Sequence, residues 1–214
     1  MTSYLTASPF LAAIMKARGS SGRLWARSAS QITPRLYLSD LWTACDEKEM
    51  ETLGITHVIS VIEHRPALPD RIPIQHRLQV FIADRSDANI LTYFEETNKF
   101  ITDALAENET NKVLVHCQQG ISRSATIVCA YIIVTMQMDA LEAIEFVQAK
   151  RDIVCPNGGF RLQLATFSRP YLKKPKPKAV SKDIASRIRN LFPERAATKR
   201  VTTEEVTVAA GGSS

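Results

Sequence analysis

The 214-residue chain holds only four cysteines, Cys45, Cys117, Cys129 and Cys155. None stands in a CxxC pair or near histidines at zinc-ligand spacing. Neither a disulfide framework nor a metal site is therefore expected, and a reducing compartment is. No apolar run reaches the roughly 20 residues of a membrane-spanning helix. The run over residues 125–136 is too short and is interrupted by Cys129 and Tyr131. Acidic residues are missing from residues 1–29, which carry Lys16, Arg18, Arg23 and Arg27. Phe10, Leu11, Ile14 and Met15 there could line one side of a short helix, a pattern shared with mitochondrial transit peptides. A disordered basic extension is the expectation, with mitochondrial targeting as the alternative to a cytoplasmic or nuclear protein.

What is present suffices for one ordinary core. Hydrophobic residues make up 45% of the chain, and its length fits one domain with tails. The net charge of +5 is unevenly spread: −5 over residues 30–170, +4 over 1–29 and +6 over 171–214. The expected domain, residues 30–170, is thus acidic, and the basic balance is poor grounds for a nucleic-acid partner. Beyond it, the Lys-Pro run from Lys173 to Lys178 should be extended and solvated. Residues 182–192 could form a basic amphipathic helix suited to an anionic membrane or an acidic partner, though a largely disordered tail is expected.

Strand-like and helix-like segments alternate. Leu36, Tyr37 and Leu38 read as a short strand. Asp40 is placed to cap a helix that includes residues 44–53 and ends at Gly54. Residues 55–62 and 74–80 read as strands, and residues 89–107 as a helix. Asp139 should open another helix. Residues 156–159 should form a turn before a last helix around 160–167. The order implies an α/β fold with a central, mostly parallel twisted sheet flanked by helices.

One stretch organises this pattern: His116-Cys117-Gln118-Gln119-Gly120-Ile121-Ser122-Arg123-Ser124. It follows the apolar Val113-Leu114-Val115 and precedes a helix-length apolar run. A short loop entering a helix can turn backbone N–H groups inward, and the helix N-terminus adds positive charge. Gly120 allows dihedrals closed to other residues. Arg123 can grip two phosphate oxygens at once. Cys117, at the centre of that field, should lose its proton more readily than an ordinary thiol.

His-Cys, five residues, then Arg-Ser resembles the signature of cysteine-dependent protein phosphatases, and HCQQGISRS resembles the dual-specificity branch. The resemblance runs from about residue 31 to 167 and includes Leu36 to Ser39, Ala130-Tyr131, Pro156-Asn157 and Gly159-Phe160. It implies that Cys117 is the nucleophile and that Gln118, Gln119, Gly120, Ile121, Ser122 and Arg123 bind the phosphate. It implies that Ser124 assists departure of the thiolate, and that His116 and Asn157 support the loop. In the family a loop Asp upstream of a Tyr-Phe-Glu helix is the general acid. Register with Tyr93-Phe94-Glu95 selects Asp84; Asp87 is the competitor, placed where it could instead cap a helix. Cys129 and Cys155 are read as packing residues.

The activity so implied is hydrolysis of phosphotyrosine and phosphoserine or phosphothreonine through a phosphocysteine, with no metal or other cofactor. The phosphorylated protein is the expected partner, and no nucleic acid is required. The positions from Gln118 to Ser122 lack Lys and Arg, which disfavours an inositol lipid. A lipid or RNA phosphatase, a sulfurtransferase of the rhodanese type and an idle phosphate-binding scaffold are the alternatives.

Overall fold

The computed structural model describes residues 28–172. The expectations for the N-terminal extension, and for the tail beyond residue 172, lie outside them. Five strands form one sheet: β1 (Ser30–Thr33), β2 (Leu36–Ser39), β3 (His57–Val61), β4 (Arg77–Val80) and β5 (Val113–His116), in the order β1-β2-β5-β3-β4. Only β1 runs antiparallel, against β2. The other pairings are parallel, as the alternating pattern implies.

Residue parity along the strands divides the core. Leu36, Leu38, Ile59, Val61, Val113 and Val115 join the larger cluster on one face. Their neighbours Tyr37, Val58 and Leu114 join a smaller cluster on the other. This is the period of 2 that a strand imposes. The smaller face is covered by α1 (Leu41–Cys45) and α2 (Glu47–Leu53), which contribute Ala44 and Met50. The larger face holds α3 (Phe94–Glu107), α4 (Arg123–Met136), α5 (Ala140–Gln148) and α6 (Gly158–Ser168). In α4, ten residues from Arg123 to Ile133 are buried, so the helix is wrapped on nearly all sides, consistent with its almost uniform apolarity.

Several boundaries differ from those expected, each for a local reason. The one helix expected between Asp40 and Gly54 is two helices. Asp40 caps only α1, and Asp46 adopts an extended conformation and accepts the Glu49 N–H at 3.0 Å to start α2. Gly54 closes α2 with φ 68°, as anticipated. Residues 74–76 form a 3₁₀ turn ahead of β4, closed by the His76 N–H donating to the Pro73 carbonyl at 2.9 Å. The helix expected from residue 89 begins at Phe94, after a 3₁₀ turn at Leu91–Tyr93. Gly158 and Gly159 lie in the first turn of α6, because the Asn157 side chain accepts the Phe160 N–H and starts the helix there. Strand β1 was not anticipated. The packed region also continues past residue 170, since Tyr171 lies against the Phe167 ring, 5.1 Å between centroids.

Candidate active site

Strand β5 ends at His116 and α4 begins at Arg123, so the loop between them is pinned at both ends. Its carbonyls are engaged from outside. The Gln118 carbonyl accepts the Leu41 N–H, and the Ile121 carbonyl accepts the Cys155 N–H at 2.8 Å. Arg151 is buried and reaches the Gln119 and Gly120 carbonyls from its Nη2 and Nε, at 3.2 and 3.0 Å. The C=O and N–H across a trans peptide point opposite ways, so carbonyls held outward turn the following amides inward. Gly120 sits at φ 69°, and a Cβ there would lie 2.6 Å from the Ser39 carbonyl oxygen. Both constraints require glycine.

Cys117 lies at the centre of this loop, 2% exposed. Its sulfur accepts the Gly120 N–H at 3.2 Å and the Ser124 hydroxyl at 3.1 Å. Two donors thus converge on this one sulfur.

Arg123 is also buried. Its Nη1 donates to the Ile82 carbonyl at 3.2 Å and lies 3.6 Å from a Glu63 carboxylate oxygen. Its Nε is buried with no hydrogen-bond partner among the described residues, and the nearest carboxylate oxygen, Asp84 Oδ2, is 3.9 Å away. A buried N–H left unpaired is costly unless it serves an anion.

Asp84 stands beside the loop. Its Oδ1 accepts the Ser122 hydroxyl at 2.7 Å and the Asn157 side-chain amide at 2.9 Å. Ser122 Oγ accepts the Asn157 backbone N–H in turn. The Ser122 side chain is thus committed to Asp84, so its share in holding a phosphate falls to its backbone. Asn157 does two things: it caps α6 and fixes Asp84. Asp87 faces outward in a two-toothed ion pair with Arg85, at 2.9 and 3.0 Å, with both side chains exposed. It caps no helix, because the helix it was expected to start begins seven residues later. The segment bearing Asp84 is clamped by Gln163 of α6. That side chain accepts the Leu91 N–H and donates to the Ala88 carbonyl. Gly159 permits this approach, since a Cβ there would come within 1.8 Å of the Ser86 carbonyl oxygen.

His116 is fully buried, and desolvation pushes its pKa down to about 4. A carbonyl can only accept, so Nδ1–H donates to the Cys117 carbonyl at 3.3 Å. Nε2 then accepts the Ser60 hydroxyl at 2.7 Å. This neutral ring ties the loop to β3. Cys129 lies in the core, where burial pushes its thiol pKa up. Cys155 Sγ accepts from an Arg161 N–H at 3.2 Å. Arg151, Ser60 and Gln163 were not singled out from the sequence. They lie 31, 56 and 79 residues from Gly120, His116 and Asp84, and no local pattern marks them.

Comparisons with known proteins converge on one family. That described as "Dual specificity phosphatase, catalytic domain" matches residues 36–170. Tyrosine-protein phosphatase yvh1 of Schizosaccharomyces pombe is 39% identical over 138 residues, covering 64% of this chain and 41% of that protein. Dual specificity protein phosphatase 13B of Mus musculus is 35% identical over 153 residues, covering 66% of this chain and 76% of that protein. Slingshot homolog 3 of the same species is matched over only 21% of its length, so this chain spans less than half of some relatives. Among solved structures, the human tyrosine phosphatase-like serine/threonine/tyrosine-interacting protein superposes with TM-score 0.62 at 33% identity, covering 69% of this chain and 99% of that one. DUSP15 superposes with TM-score 0.62 at 30% identity, covering 78% and 97%.

Proposed function

The chain belongs to the dual specificity phosphatase catalytic-domain family, and on that premise we propose that it hydrolyses phosphotyrosine and phosphoserine or phosphothreonine on proteins through a phosphocysteine. The observation that carries this reading is the buried, unpartnered Nε of Arg123, next to the Cys117 loop and 3.9 Å from Asp84. A phosphoryl group held by Arg123 and the loop amides has a nucleophile on one side and an acid on the other.

In the first step the Cys117 sulfur attacks phosphorus in line, and the P–O bond to the leaving group breaks. Asp84 gives its proton to the leaving oxygen. Water then attacks the phosphocysteine and returns a proton to Asp84, and the P–S bond breaks. The Ser124 hydroxyl, already 3.1 Å from the sulfur, stabilises the thiolate as it leaves. Ser122 and Asn157 aim the Asp84 carboxyl, and Arg151 holds the loop open. The transition state is loose, so positioning and charge supply most of the acceleration. The loop side chains from Gln118 to Ser122 carry no cation, which supports a protein phosphate over a multiply phosphorylated lipid. A thiolate nucleophile supports a reducing compartment, the cytoplasm or nucleus.

The test is turnover of an aryl phosphate and of phosphotyrosine and phosphothreonine peptides by the wild type and Cys117→Ser. The wild type is expected to turn over all three and to be inhibited by vanadate, which mimics five-coordinate phosphorus. Cys117→Ser should bind without turning over, because an alkoxide is scarcely populated near neutral pH. Appreciable turnover by the serine form would refute the covalent step.

A further inference from the structure

We propose that His57, His76 and Glu107 form a binding site for a divalent transition-metal ion of the zinc class, at the end of the sheet remote from Cys117. The three residues come from separate elements: the first residue of β3, the 3₁₀ turn before β4 and the last residue of α3. One potential ligand atom from each lies within 4.8 Å of both others. His57 is level with Val113 and Ser60 with His116. The cluster therefore lies three residues down the strands from His116, roughly 10 Å away along the sheet.

The donor set suits such an ion. Two imidazoles and a carboxylate are zinc ligands that leave a fourth position for water. Zinc holds these donors at about 2.0–2.2 Å, which places them roughly 3.4 Å apart in a tetrahedron. The two imidazoles are stacked 21° from parallel, and a nitrogen lone pair lies in its ring plane. Closing on one ion therefore requires the part-exposed His76 ring to turn as well as Glu107, 62% exposed in its side chain, to swing.

Surrounding groups orient two of the three ligands, His57 and Glu107, as those around metal sites do. Thr56 Oγ1 lies 2.9 Å from His57 Nδ1. With Nδ1–H donating to Thr56, His57 Nε2 presents its lone pair to the cluster. That nitrogen faces Glu107 Oε2 at 3.6 Å, beyond good hydrogen-bond length. Asn111 donates to the same Glu107 oxygen at 3.2 Å. The imidazole rings stack with centroids 4.0 Å apart, and Phe100 meets His57 edge-on at 5.8 Å, walling one side. An open cavity of about 480 Å³ reaches all three ligands, and Asp103, one helical turn before Glu107, also lines it. Asp103 is engaged by Lys99 at 2.6 Å, so water completes the coordination. The expectation of no metal site rested on spacing along the chain. These ligands lie 19 and 31 residues apart, and only the fold brings them together.

The test is calorimetric titration with Zn²⁺ of the untagged full chain carrying Cys117→Ser, which removes the competing thiolate. One Zn²⁺ per chain is expected, with a rise in melting temperature. His76→Gln and, separately, Glu107→Gln should each weaken binding by about tenfold or more and remove the rise. Both side chains are at least partly exposed, and Glu107→Gln serves should His76→Gln lower the metal-free melting temperature. Zinc affinity unchanged in both variants, or no saturable zinc binding by the parent, would overturn the assignment.

Discussion

Acid should destabilise this protein chiefly through His116. In the unfolded chain the imidazole titrates at its ordinary value near 6.5, whereas in the fold burial lowers it to about 4. Between those values the unfolded state binds a proton that the folded state refuses. The stability that depends on neutral His116 is thus present in full above about pH 6.5 and lost as pH falls toward 4. For one site with these two values, lowering pH from 7.5 to 5.0 removes about 2 kcal/mol. That corresponds to a fall in melting temperature of about 4–8 °C for a domain of this size. The assay is thermal unfolding of the wild type and His116→Gln across that pH range. Gln does not titrate and can still meet the Ser60 hydroxyl. His57, whose pKa burial also lowers, acts in the same direction but is common to both proteins. The wild-type curve should fall more steeply than that of the variant by about the stated amount. Parallel pH dependences would refute the buried neutral histidine.

Asp84→Asn should lower kcat by about 10²- to 10⁴-fold on esters with poor leaving groups and less on an activated aryl phosphate, so that kcat comes to depend more steeply on the leaving group. Asp87→Asn should do neither, since that carboxylate faces Arg85 on the surface; the steeper leaving-group dependence in this variant instead would show the assignment to be wrong. Gly120→Ala should reduce kcat/KM by about 100-fold or more, because the added methyl displaces the loop from Ser39; phosphate binding by titration and turnover should fall together. Arg123→Lys should be nearly as damaging as Arg123→Ala, since a point charge cannot supply two parallel hydrogen bonds. Near-wild-type kcat/KM in the lysine form would show that charge alone suffices.

Residues 116–124 determine their own chemistry locally. A strand end, a glycine and a helix start within nine positions mark an anion-binding loop in the sequence, because the amides involved belong to the loop itself, whereas the groups that hold its carbonyls outward come from elsewhere in the fold. The alternation of strands and helices likewise specifies a parallel sheet. Packing decided what lies between those elements. Asp84 and Asp87 are alike in composition and three residues apart. Only Ser122 and Asn157, brought in from α4's approach and α6's cap, single out the first, while Arg85 takes the second. Arg151 supports the loop from beyond α5, and Ser60 reaches His116 across the sheet. His57, His76 and Glu107 meet only when β3, the turn before β4 and α3 come together. Such contacts follow from burying both faces of one sheet, and burial responds to hydrophobic pattern over the whole domain. No short window of residues records which side chains that burial will bring within 3 Å.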